Sequence, residues 1–179
     1  MALDAGNVKV AVTGAVYVAP TGTAGPADTT TPLAAAWKNV GYISEDGVTE
    51  GNNTETDEIT AWQNSDVVRK TITKSETTYQ FTMIETNSNS LSLFYGKTIS
   101  ASDTSHTIGG TGAGKVSLVI DVVDGAQTIR RFIPEAEVSE RGEVKFAANE
   151  ALGYDVTVTA YPNASIGGSV EVHYAQALD

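Results

Sequence analysis

The chain has 179 residues, 11 basic and 22 acidic, giving a net charge of −11, and it contains no cysteine. The length suits one domain with its own core, and the missing cysteines exclude disulfides, thiolate metal sites and thiol nucleophiles. The acidic balance argues against nucleic-acid binding, which rests on Lys and Arg facing phosphate.

Charged residues are only 18% of the chain, below the roughly 25% of ordinary globular proteins, so much of the polar surface is neutral. The 23 Thr, 19 Val and 10 Ile against 7 Leu are a strand composition, because branching at Cβ disfavours helix and suits a pleated surface. No run approaches the ~18 apolar residues of a membrane helix. Residues 1–20 hold an early Lys9 and no compact apolar block, so no secretory leader is expected.

Residues 15–19 read as a short strand ending at Pro20. Residues 21–32, with Gly22, Gly25, Pro26 and Pro32, read as a loop, so residues 1–36 form an extended N-terminal arm. Residues 39–44 are a strand bent at Gly41. Asp46-Gly47 carries a hairpin signal with Val48 beginning the return, which makes 45–58 an acidic hairpin. Residues 59–63 and 67–74 are strands around the turn-like Asn64-Ser65-Asp66. In 76–85, Tyr79, Phe81 and Met83 alternate with Thr78, Gln80 and Thr82, the period of a half-buried strand.

One helix signal follows. Asn87 or Thr86 caps it, Leu91, Phe94 and Tyr95 share one stripe, and Gly96 ends it. Two turns cannot stand alone, so the stripe must dock on the sheet. After a Ser/Thr/Gly-rich loop at 100–114, residues 116–123 read as a strand buried on both faces. Residues 127–133 form another strand, with Arg130 and Arg131 on opposite faces. Residues 137–147, with an interruption at Arg141-Gly142, 154–161 and 170–174 complete the set. The expected architecture is one mainly β domain over 1–179, a β-sandwich or partial barrel of antiparallel strands with one short flanking helix and long loops.

Candidate chemistry is sparse. Gly109-Gly110-Thr111-Gly112-Ala113-Gly114-Lys115 has the spacing of a phosphate loop. However, Val116 stands where a magnesium-binding hydroxyl belongs, and a strand follows instead of a helix. A glycine-rich connection is the better reading. His106 and His173 lie in no ligand-spaced motif, and no nucleophile elbow surrounds Ser105. Neither cofactor, metal nor catalytic set is read from the residues. Glu45, Asp46, Glu50, Glu55, Asp57 and Glu58 place six carboxylates in fourteen residues with no base among them. A calcium site, a solvated hairpin and a contact with a basic neighbouring subunit remain open.

Several runs are similar to one family. Gly14-Ala15-Val16-Tyr17-Val18-Ala19-Pro20 with its Thr/Gly/Pro continuation, and 37–48 (Trp37-Lys38-Asn39-Val40-Gly41-Tyr42-Ile43-Ser44-Glu45-Asp46-Gly47-Val48), resemble the major tail protein, or tail tube protein, of long-tailed non-contractile bacteriophages. Ile59-Thr60-Ala61-Trp62-Gln63, Val67-Val68-Arg69 and 81–87 into Leu93-Phe94-Tyr95-Gly96 continue the likeness over residues 8–96. The resemblance implies a non-enzymatic virion subunit, assembled in the host cytoplasm into stacked, six-membered rings that form the tail tube. Its implied partners are further copies of itself, the tape-measure protein and tail-end proteins, and DNA passes through without specific binding. A capsid decoration or fibre domain is the alternative.

In such a tube, Glu76, Thr78, Gln80 and Thr82, and Asp155, Thr157 and Thr159, are the two candidate channel-lining strand faces; the alternative for either is that it faces outer solvent. A duplex carries one charge per ~1.7 Å, so a basic wall would hold it. The acidic hairpin, with Lys70, Lys74, Arg130 and Arg131 as its counter-charges, is the expected contact between subunits.

Overall fold

Strands dominate the chain, as its β-branched composition requires. The computed structural model describes residues 3, 5–109 and 114–175. Its elements run β1 (Thr13–Pro20), β2 (Lys38–Asn39), β3 (Ile43–Thr60), β4 (Val67–Met83), α1 (Ser88–Tyr95), β5 (Val116–Asp124), β6 (Gln127–Arg141), β7 (Tyr154–Ala160) and β8 (Val172–Tyr174). All strand pairs are antiparallel, in the order β2-β1-β5-β6-β7-β4-β3, with β8 on β6.

β6 organises the whole. Its first half pairs with β5 and β8, and its second half pairs with β7. The sheet therefore divides at β6 and folds over itself. Val16, Leu118, Ile120 and Ile133 from one side meet Tyr79, Phe81, Met83, Val156 and Val158 from the other in a single core. The result is the expected mainly β, sandwich-like fold with one helix.

Two local expectations are corrected. Asp46-Gly47 does not reverse the chain: β3 runs on from Ile43 to Thr60, and 44–47 bow out where the register jumps from Ile43↔Met83 to Val48↔Phe81. Gly47 still takes the positive φ its sequence suggests, at 70°, but in a bulge instead of a turn. The reversal lies at Asn64 and Ser65, both left-handed (φ 58° and 57°), the conformation a tight hairpin turn demands at its two central positions. The expected strands 127–133 and 137–147 are joined through Pro134 into one strand, β6, which ends at Arg141, at the expected interruption. Pro134 sits at the register shift opposite 116–118, where a missing donor costs least, and Ser117 Oγ donates to its carbonyl at 2.7 Å.

The helix follows its local signals. Asn87 Oδ1 accepts from the N–H groups of Asn89 (2.8 Å) and Ser90 (2.9 Å), and Ser90 Oγ accepts from Asn87 N–H at 3.0 Å. This reciprocal cap satisfies the orphan donors of the first turn, and Gly96 closes the end at φ 65°. Phe94 is buried between Tyr95 and Tyr154, with ring centroids at 5.0 and 5.3 Å. Leu91 and Tyr95 are half-buried against the same core. Leu93, outside the expected stripe, is buried beside Phe94.

Residues 1–36 are not one extended arm. β1 lies inside the sheet between β2 and β5. The loop after it folds over the other face, onto a second cluster of Ala19, Trp37, Val119 and Phe132. Trp37 Nε1 donates to Ala24 O at 3.2 Å, and a side chain at Gly25 would collide with the Phe132 ring. Arg130 fixes the loop's middle, donating to the carbonyls of Asp28 (2.8 Å) and Thr31 (2.9 Å).

Asp28 shapes that stretch. Its carboxylate accepts from the backbone and hydroxyl groups of Thr31 and Thr30, and these bonds, led by the Thr31 N–H, lower its pKa to about 2. A depressed carboxylate contributes order above its unfolded pKa and loses it as pH falls through the folded one. Carbon-detected NMR titration should therefore show Asp28 ionising near pH 2, with the loop's Thr30 and Thr31 amides shifting at the same midpoint. A midpoint near 4 would mean that the turn is not formed in solution.

Candidate functional site: a polar sheet face and a projecting ribbon

The two strand faces singled out in the sequence are one face. β4 and β7 are neighbours, in register Thr78↔Thr159, Gln80↔Thr157 and Thr82↔Asp155. Tyr79, Phe81, Val156 and Val158 point inward from the same strands to the core, so alternation puts the polar set on the opposite face, where Thr159 is itself buried at 5% exposure. β6 adds Glu137 opposite Thr159, and β3 adds Thr49, Gly51 and Asn53 opposite Gln80, Thr78 and Glu76.

Hydrogen bonds knit this face across the strands. Asp155 accepts from Gln80 Nε2 (3.2 Å) and Thr82 Oγ1 (3.2 Å). Thr159 Oγ1 donates to Ser139 Oγ at 3.0 Å, and Ser139 Oγ donates to Thr157 O at 3.1 Å. Glu76 forms an ion pair with Lys74 at 2.7 Å; that bond holds the Glu76 carboxyl below its ordinary range and raises Lys74. The face is thus neutral to acidic, rich in threonine, and braced by its own side chains. Glu137 and Ser139 were missed in the sequence because only the β6–β7 pairing places them there.

Beyond Thr77 and Asn52, β4 has left β7, and β3 and β4 continue as a two-stranded ribbon closed by the turn at 61–66. The ribbon is exposed along its length, and isolated two-stranded ribbons are marginal in water. Its strands carry opposite charge. From 50 to 58, β3 holds Glu50, Glu55, Asp57 and Glu58 with no base. From 67 to 75, β4 holds Arg69, Lys70 and Lys74 with no acid. Glu45 and Asp46 lie outside the ribbon, in the bulge at its base.

Several expected counter-charges are already engaged within the subunit. Lys70 pairs with Glu58 at 2.9 Å across the ribbon. Arg131 bridges Glu171 (2.6 Å) and Glu50 (3.1 Å), and Tyr79 Oη donates to Glu171. Burial, with this bond to Glu171, pushes the Tyr79 phenol well above its ordinary range. Arg130 presents no charge to a neighbour: its side chain is 7% exposed, and it grips Asp121 at 2.7 and 2.8 Å. The bond to Asp121 raises the guanidinium pKa further. Asp121 was overlooked, although a lone carboxylate within the apolar run 116–123 signals a buried partner.

In the glycine-rich run, residues 110–113 lie outside those described. Lys115, at its end, pairs with Glu135 at 2.5 Å. Among the described residues, no group of three or more His, Asp or Glu side chains could hold a metal ion, and no helix is long and apolar enough to cross a membrane.

The described residues form a mostly β subunit with a braced polar face and a projecting ribbon. A family model described as "Phage tail tube protein" matches residues 1–167. The chain therefore belongs to the phage tail tube protein family: it is a structural virion component, a tail tube subunit and not an enzyme. No curated protein matches. Among solved structures, the chain is similar to one in the virion of a native gene transfer agent particle (8% identity, 81% of this chain and 92% of that one, TM-score 0.41). It is also similar to one in an extracellular contractile injection system, PVC sheath/tube terminator in extended state (12% identity, 92% and 94%, TM-score 0.40).

Proposed function

We propose that the subunit forms six-membered rings that stack into the tail tube, with the β4–β7 face as the channel wall through which the genome leaves the particle. The observation that carries this reading is the merger of Glu76, Thr78, Gln80, Thr82, Asp155 and Thr157 into one surface, with Thr159 buried beneath it. A wall of this kind lets a duplex slide. Its carboxylates repel phosphate over a Debye length of roughly 8 Å at physiological salt, and it offers few cations to hold the strand.

Rings need subunit edges that join in one direction. The ribbon provides an acidic β3 edge and a basic β4 edge, both with backbone groups unpaired beyond the β4–β7 ladder. Acidic edge against basic edge favours head-to-tail pairing, and like edges repel. In this reading the tape-measure protein fills the channel during assembly in the host cytoplasm, and tail-end proteins close the tube.

Electron microscopy of the purified protein, and of virions labelled with an antibody to it, tests the proposal. Six-fold rings or tubes, and label along the tail shaft, are expected; label confined to the capsid would overturn it. The wall assignment has its own test. Glu76→Lys with Asp155→Lys should give assembled tails whose DNA ejection is slowed and relieved by salt. Unaltered ejection kinetics would place this face elsewhere.

A further inference from the structure

At the other end of β3 from the ribbon's tip lies a groove of about 800 Å³ between β1, the bulged start of β3 and β5. Val12, Val16, Ile43 and Val48 give it an apolar floor and wall, and Glu45 and Glu85 line it as well. Glu85 is engaged, accepting from Tyr42 N–H (3.1 Å) and Asn87 Nδ2 (3.2 Å). Glu45 is exposed. The volume is that of sites that enclose a sizeable ligand.

The tip has the matching shape and chemistry. Trp62 is 96% exposed at the turn, and Ile59, Val67 and Val68 are exposed beside it. A large apolar cluster in water marks a contact surface, and Trp and Arg are the side chains most often central to such contacts. Arg69 pairs across the ribbon with Ile59, so the two side chains share a face: one apolar, one cationic. The groove has an apolar floor bordered by polar groups, among them Asn39, Asn87 and Asn89, with a carboxylate available at Glu45.

The tip cannot fill its own groove. From Val48 to Thr60 the strand is extended, and at about 3.3 Å per residue the two sites lie roughly 40 Å apart. We infer that the ribbon tip of one copy docks in the β1–β3–β5 groove of another, with Trp62 and Ile59 on the apolar floor and Arg69 paired with Glu45. Donor and acceptor are different surfaces of the same chain, so the contact is heterologous and repeats until it closes or runs on as a filament. The inference rests on the tube reading and specifies one contact within it.

The cysteine-free sequence makes the test direct. Trp62→Cys and Val12→Cys are combined in one chain and placed in assembled tails. Because the sites are far apart within a copy, oxidation should give a ladder of disulfide-linked multimers, absent from either single variant. Trp62→Ser should raise the concentration needed for assembly at least tenfold while leaving the monomer's Tm unchanged, since the side chain touches solvent. Arg69→Glu should weaken assembly similarly, and adding Glu45→Arg should restore it. Normal tubes from Trp62→Ser without a cross-linked ladder would overturn the docking and leave the tube reading standing. Wild-type protein that forms neither rings nor tubes, in virions or alone, would overturn both.

Discussion

Replacing Arg130 with alanine should destabilise the subunit by about 3–5 kcal/mol, because it leaves the Asp121 carboxylate buried without its partner. Side-chain exposure is 7% for Arg130 and 11% for Asp121, so water offers the stranded charge little relief. The substitution also removes the donors to the Asp28 and Thr31 carbonyls, which places the cost toward the upper end. Chemical denaturation should show a lower midpoint with a nearly unchanged slope, since the unfolded surface is the same. Arg130→Met with Asp121→Leu separates the two roles. Removing both charges should recover most of the stability, while the loop at 28–31 stays loose, read as faster amide exchange there than in wild type. Loss smaller than 1 kcal/mol in the single variant would mean that solvent reaches the pair.

Phe94→Ala should cost a similar amount, about 3–5 kcal/mol, for a different reason: a buried ring is lost and a cavity remains. Phe94 sits edge-on to both Tyr95 and Tyr154, and the helix has too few turns to hold its shape without that contact. For a chain of this size, about 2–4 °C of Tm accompanies each kcal/mol, so a fall of about 10 °C is expected. Phe94→Leu, which keeps most of the volume, should recover more than half of it. An unchanged Tm would show that the helix does not stand on this core in solution.

What was legible in the sequence was local. The helix could be read because its cap, its buried ring and its terminal glycine lie within ten residues, and each acts on its own turn. The alternation at 76–83 could be read because facing water or core is decided one residue at a time. Pairing is different. That 76–82 and 155–159 form one surface depends on β7 lying beside β4, and no periodicity within either strand encodes a partner some eighty residues away. Pairing between strands also hid Asp121 from Arg130 on the neighbouring β6, and Glu137 from the polar face.

The two misread breaks also have a physical cause. Asp-Gly and proline are permissive signals: they allow a turn or an interruption without compelling one. Gly47 and Pro134 each found a bulge, which uses a left-handed φ or a missing donor while the strand continues. The long β3 that results joins the groove to the tip, a connection that a hairpin at Gly47 would have abolished.

The anchoring of the ribbon governs how the subunit carries force. Seven consecutive β4–β7 pairs, from Thr77↔Ala160 to Met83↔Tyr154, hold its root, and their hydrogen bonds lie across the strands. Tension applied at Trp62 runs along β4, so those seven rungs are loaded in shear and must slip together, whereas a pull across the strands would open them one at a time. The ribbon therefore behaves as a tendon: compliant when bent, stiff when stretched, and fixed to its core where peeling is hardest to start.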